Sequence, residues 1–216
     1  MNEKQTIDYR YFYWGPLLMN FKVPKEVLKG LITRGRKSKI DARRDLAGHI
    51  DNEKNFSDND LKWFVSKMDV QFSTYFNMWK DTTRVDYNER FKDCGLALKS
   101  LWINFMKPGE YNPPHVHDHD FSFVIYCKNP PKLKEEQEKN IAMSEAPGGI
   151  IFQYGEMEKW QLNTYSFRPV EGDMFIFPAR LRHYVIPYRS KGERISVSGN
   201  LYIHNLKSNQ RQHIGI

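Results

Sequence analysis

Cysteine is scarce: Cys94 and Cys127 are the only two in 216 residues. Two thiols exclude a disulfide framework and a cysteine-based zinc site. A reducing cytosol is the compartment they fit. Long apolar runs are missing as well. None approaches the roughly 18 residues that a membrane span needs, and the opening MNEKQTIDYRYFYWG lacks the basic-then-apolar order of a signal peptide. The expectation is a protein of the cytoplasm with no membrane partner. Internal repeats are absent, and acidic residues are outnumbered by Lys and Arg 26 to 33, which leaves a net charge of +7. That balance favours nucleic acid, an anionic small molecule or a negatively charged surface, without choosing among them.

What is abundant is apolar and aromatic: 40% hydrophobic residues and 14% aromatics, enough to build one real core and too many for a disordered tract. Residues 23–33, VPKEVLKGLIT, predict a short helix with Pro24 in its first turn. The cluster RGRKSKIDARR at 34–44 is the densest basic stretch. It reads as a solvated loop, with a phosphate-binding surface as the sharper alternative. Ser57 and Asp60 make a capping-box pattern. Leu61, Phe64, Val65, Met68, Phe72, Tyr75, Phe76 and Trp79 then recur at helical spacing as one stripe that should pack on a sheet.

From about residue 98 the texture becomes short strands: LKSLWINFM, FSFVIYC, GGIIFQY, DMFIF, YVIPY and RISVSGNLYI, separated by turn residues. The fold class expected is mainly β with N-terminal helices (α+β). The layout is a double-stranded β-helix, or jelly roll, braced by an amphipathic helix. Residues 1–97 would form the helical segment and 98–216 the β core.

Chemistry concentrates in NPPHVHDHDFSF, 112–123. In an extended segment residues i and i+2 share a face, so His115 and His117 can chelate one ion together, as can His117 and His119. Pro113 and Pro114 stiffen the approach. GDMFIFPARLRHYVIP, 172–187, offers His183 as a third ligand, placed by a turn at Gly172-Asp173 and a stop at Pro178. Three protein ligands with open positions suit oxygen-activating iron. In RISVSGN the polar residues Arg194, Ser196, Ser198 and Asn200 alternate with apolar ones. If that polar face turns inward, Arg194 can grip a carboxylate with its fork and Ser196 can add a hydroxyl.

Together these stretches resemble the 2-oxoglutarate and Fe(II)-dependent oxygenase superfamily. The similarity is greatest to a 2OG-Fe(II) oxygenase family common in phages and marine bacteria, over roughly residues 98–203. The resemblance implies an enzyme using Fe(II), 2-oxoglutarate and O2. Such an enzyme decarboxylates 2-oxoglutarate to succinate while hydroxylating a C–H bond. It implies His115 and His183 as iron ligands, Arg194 with Ser196 on the distal carboxylate of 2-oxoglutarate, and Tyr126 and Asn104 as co-substrate or pocket residues. The chain departs from the usual His-x-Asp or His-x-Glu: His117 stands where the carboxylate should be. Either His117 completes the triad, which is the choice made here, or Asp118 or Asp120 bends in.

Two other classes compete. A cupin-like metal protein would share the two histidine motifs, but it commonly has a Glu after the His pair, where this chain has Phe121 and Ser122, and it has no use for Arg194 and Ser196. A non-enzymatic phage protein with a vestigial site would form no succinate. The substrate stays open among a protein side chain, an amino acid and a nucleobase. The oligomeric state is open too, a homodimer included. If the chain is phage-encoded, its location is the host cytoplasm. The polar segment 128–149 reads either as a lid or as a plain exposed insertion.

Overall fold

The long helix starts where Ser57 and Asp60 satisfy each other. The Ser57 hydroxyl donates to the Asp60 carboxylate at 2.6 Å and accepts from the Asp60 N–H at 3.3 Å. From there α2 runs through Asp58–Thr82. Its stripe is the one expected: Leu61, Phe64, Val65, Met68, Phe72, Tyr75 and Phe76 are all buried, and Trp79 packs beside them. Burying each such side chain contributes about 1.5–3 kcal/mol. That sum, rather than helix propensity, holds the 25-residue helix in place.

The computed structural model describes residues 15–82, 89–143, 145–156, 159, 162–207 and 214–215; most of the N-terminal stretch read above for a signal pattern lies outside them. The strands are β1 (Met19–Lys22), β2 (Ile40–Asp41), β3 (Glu53–Asn55), β4 (Cys94–Met106), β5 (Asn112–His115), β6 (Phe121–Lys128), β7 (Ile150–Gln153), β8 (Thr164–Phe167), β9 (Asp173–Pro178), β10 (Arg182–Val185), β11 (Arg194–Asn205) and β12 (Ile214–Gly215). Among the described residues the α-helices described at both ends are α1 (Lys25–Lys37), α2 and a short α3 (Leu133–Glu138), with a 3-10 turn at Arg43–Asp45. The molecule is mainly β. Among the described residues no helix is long and apolar enough to cross a membrane.

Among the described residues two antiparallel sheets form. The larger has the order β1-β9-β6-β11-β4-β3-β2, with β12 pairing β4; the smaller has the order β5-β10-β7-β8. The three central strands of the larger sheet are buried on both faces, and their alternation sorts side chains cleanly. Phe121, Phe123 and Ile125 of β6, Leu101, Ile103 and Phe105 of β4, and Ile195 and Val197 of β11 join the core under α1 and α2. Phe123 meets Phe64 at 5.6 Å and Phe72 at 5.3 Å between ring centroids. Val124 and Tyr126 of β6 point the other way. With Phe175 and Phe177 of β9 they meet Ile150 and Phe152 of the smaller sheet in a second cluster.

Three local expectations change. The first helix does not stop at residue 33 but runs to Lys37, so Arg34–Lys37 are helical rather than loop. Gly35 makes this possible: a Cβ there would lie 2.5 Å from Ile103 Cδ1, so only glycine lets α1 sit this close to the sheet. The strand expected as YVIPY instead begins at Arg182 and ends at Val185, because Ile186 precedes Pro187, whose missing N–H cannot extend the ladder. Six short strands (β1, β2, β3, β5, β8 and β12) run to four residues or fewer and were not named as strands from the sequence.

Candidate metal and co-substrate site

Two facing strand ends bring the histidines together. β5 is an edge strand, which is where prolines such as Pro113 and Pro114 are tolerated. It pairs with β10 in a register that sets His115 directly opposite His183. His117 lies two residues past the end of β5, and its N–H donates to the Ala179 carbonyl at 2.9 Å. That bond ties it to the turn that Pro178 opens before β10. The potential ligand atoms of His115, His117 and His183 all lie within 4.8 Å of one another.

The tautomers follow from the backbone. Nδ1 of His115 lies 2.7 Å from the Pro113 carbonyl, and Nδ1 of His183 lies 2.9 Å from the Leu181 carbonyl. A carbonyl only accepts, so each Nδ1 carries the proton and each Nε2 keeps its lone pair for a ligand. Burial holds all three pKa values below the ordinary 6.5, with the neighbouring imidazoles adding to it for His117 and His183: His117 sits at about 4 and His183 at about 3. All three are therefore neutral at pH 7. Neutral donors with an inward lone pair are what a divalent transition metal takes.

Other candidates are placed elsewhere. Asp118 is exposed and paired with Arg180 at 2.7 Å. Asp120 turns to β11, where it accepts the Ile203 N–H at 2.7 Å. His119 is outside the triad too. Among the described residues, then, the cluster is three histidines and neither aspartate shares it. Residues 118–120 form a bend, so the i, i+2 rule holds from His115 to His117 and not on to His119.

The same cavity is walled by the larger sheet. Asn104, Tyr126, Arg194 and Ser196 all line it, with Ser198, Trp102 and Met106. Asn200, the last of the polar alternation, is spent on Ser122 and Ser100. Arg194 is 3% exposed. Its Nη1 donates to the Gly148 carbonyl at 2.7 Å and its Nη2 lies against Met106 Sδ. The rings of Tyr126 and Tyr188 stand 5.6 and 5.7 Å away. Its Nε has no partner. Among the described residues no carboxylate lies within ion-pair distance of it, and burial lowers its pKa. The Tyr126 hydroxyl and Asn104 Oδ1 are likewise buried and unpartnered. Burial pushes the Tyr126 phenol up to about 12, so it stays a neutral donor. The orphaned donors of Arg194 and Tyr126 fit an anion; the Asn104 oxygen, an acceptor, needs a donor instead.

Sequence reasoning missed Met106 and Gly148, which hold the guanidinium, and Tyr188, whose hydroxyl is bonded to Met106 and Gly192 carbonyls and to the Arg194 N–H. Nothing in a linear pattern marks such support. The 128–149 segment is not a plain exposed insertion. Leu133 and Gln137 are buried, Glu136 accepts the Arg189 and Ser190 N–H groups, and Gly148 reaches Arg194.

Comparison with known proteins agrees with this chemistry. Residues 100–200 match the model of the family described as putative 2OG-Fe(II) oxygenase. No curated protein matches the sequence. The solved structure of a viral collagen prolyl hydroxylase from Paramecium Bursaria Chlorella virus-1, a 2-oxoglutarate complex, is similar with a TM-score of 0.52 at 14% identity, covering 85% of this chain and 94% of that one. A Pseudomonas putida prolyl-4-hydroxylase gives 0.48 at 13% identity, covering 86% and 91%. An oxidoreductase of the 2OG-Fe(II) oxygenase family from Burkholderia pseudomallei gives 0.42 at 18% identity, covering 69% and 60%, so this chain spans about three-fifths of its length. At these identities the likeness to the viral enzyme bears on the fold alone.

Proposed function

Starting from a chain whose residues 100–200 match the 2OG-Fe(II) oxygenase family model, we propose that it is a 2-oxoglutarate-dependent dioxygenase. It binds one Fe(II) through His115, His117 and His183 and hydroxylates a C–H bond of a small molecule or a protein or peptide side chain. In this reading the two sheets are the halves of a double-stranded β-helix. Residues 98–216 are its core and 1–97 brace it, within a cytoplasmic protein.

The observation that carries the proposal is Arg194. A guanidinium buried without a carboxylate costs several kcal/mol unless a ligand supplies the charge. The distal carboxylate of 2-oxoglutarate matches the fork, and Ser196 and Tyr126 would donate to its oxygens. Iron and 2-oxoglutarate together supply oxidative decarboxylation with O2. The protein's part is to hold the three imidazoles neutral, fix the co-substrate's orientation and keep water out behind Trp102 and Phe177. A cupin-like metal site would account for the histidines and leave Arg194 without a purpose.

The test is 2-oxoglutarate affinity, measured anaerobically with Fe(II), together with uncoupled succinate release. Arg194→Ala should lose about 2–5 kcal/mol of 2-oxoglutarate binding, as expected for one partner of a buried charge pair. Arg194→Lys should fall between, because it keeps the charge without the fork. Equal behaviour of all three proteins would overturn the assignment.

A further inference from the structure

One buried acid takes no part in the site described above. Among the described residues the buried carboxylates are Glu53 and Asp173. Asp173 is paired with Lys22 and caps the Val170 N–H. Glu53 is 2% exposed, and its Oε2 has no partner.

The register says which way it faces. Glu53 on β3 lies opposite Asn104 on β4; Asn104 lies opposite Ser196 on β11; Ser196 lies opposite Tyr126 on β6. Directly opposed residues of antiparallel strands share a face. Glu53, Asn104, Ser196 and Tyr126 thus form one polar row across four strands, and the last three line the histidine cavity. The Tyr126 and Ser196 end of the row neighbours Arg194. Glu53 stands at the opposite end.

At that end the acid meets no cation. A Cβ on Gly48 would lie 2.8 Å from Glu53 Oε1 and 2.9 Å from Asn112 Oδ1, so the Gly48 backbone, Asn112 and the carboxylate converge at one point. Asn112 itself lines the cavity. The charged groups that bear on Glu53 are Glu110 and Asp41, both unfavourable to its ionisation, and Arg43. Arg43 is already engaged with both oxygens of Asp41. Glu53 Oε2 and Asn104 Oδ1 are therefore two acceptors without donors on adjacent strands. The complementary ligand carries several N–H donors and a positive charge.

Resting on the oxygenase reading, we propose that Glu53 is a substrate-specificity residue that takes the ammonium or guanidinium group of a basic substrate. The co-substrate fills the Arg194 end of the row and the substrate enters at the Glu53 end. The cavity's buried cation and the buried acid adjoining it through Asn104 and Asn112 are then each paired with a different ligand.

The experiment uses the full chain loaded with Fe(II) and 2-oxoglutarate under nitrogen. The probes are Nα-acetyl-lysine amide, Nα-acetyl-arginine amide and the uncharged Nα-acetyl-norleucine amide, titrated by calorimetry. At least one cationic probe should bind tenfold or more tightly than norleucine, and Glu53→Gln should abolish that preference. Equal affinity in the wild type, no binding of either cation, or a preference that survives in Glu53→Gln would each overturn the proposal. The wild-type comparison decides even where the variant does not fold. 2-Oxoglutarate binding is read in the same wild-type sample. Its absence would count against the oxygenase reading, separately from the outcome with the cations.

Discussion

His183, a metal ligand in the proposed function, is held in a donor's state by the protein alone. It is buried beside Phe177, at 4.7 Å between ring centroids, its Nδ1 proton is fixed by the Leu181 carbonyl, and its basicity is suppressed by burial. His183→Ala should abolish tight Fe(II) binding by anaerobic calorimetry. The choice within the motif is tested by a pair of variants. His117→Ala should lose at least tenfold in iron affinity, whereas Asp120→Ala should retain it, because Asp120 is committed to the Ile203 N–H. The reverse pattern would restore the aspartate triad. These residues were legible in the sequence because the spacing of His115 and His117 and the turn before His183 are local signals. That Asp118 and Asp120 lie outside the histidine cluster was not legible. It depends on where Arg180 and β11 lie, which no local pattern states.

At the scale of elements, what was readable is what alternates. β4, β6 and β11 run to eight residues or more, β9 carries the apolar run MFIF, and α2 carries a cap and an eight-residue stripe. β1, β2, β3, β5, β8 and β12 run to four residues or fewer, and they are strands because a neighbour offers a free edge. Glu53 sits on one of these, so its place beside Asn104 was invisible. Packing between elements also explains a glycine inside a strand. A Cβ on Gly199 of β11 would come within 2.5 Å of the Phe123 ring and 2.6 Å of the Ser100 carbonyl oxygen. The ring can move but the carbonyl belongs to the paired strand β4. Gly199→Ala should cost about 1–3 kcal/mol through overpacking, seen as a lower urea midpoint with an unchanged m-value. A variant as stable as wild type would show that β4 and β11 can separate there at little cost.

At the scale of the whole molecule, residues of both sheets line a cavity whose wall holds a cation, Arg194, and one strand beyond that wall lies a buried acid that does not pair with it. Arg194 lies beside Met106 and Gly148, and Glu53 lies beyond Asn104 at the far end of the row. Such a cavity sacrifices stability for binding capacity. The cost of Glu53 can be read from pH. Burial, with Glu110 and Asp41 adding to it, raises its pKa from an ordinary 4.5 to about 7. The folded chain therefore holds this proton more tightly than the unfolded chain does. Between pH 4.5 and 7 the folded state binds more protons, so this group's contribution to stability falls as pH rises through that window and is flat above it. Glutamine has the shape of the protonated acid and no charge to bury. Glu53→Gln should match the wild type near pH 4.5 and exceed it by about 3 kcal/mol at pH 8. The check is urea unfolding of both proteins at a series of pH values. A constant difference across the series would mean that Glu53 ionises in the folded protein as easily as in the unfolded chain. In that case its carboxylate is already solvated or paired.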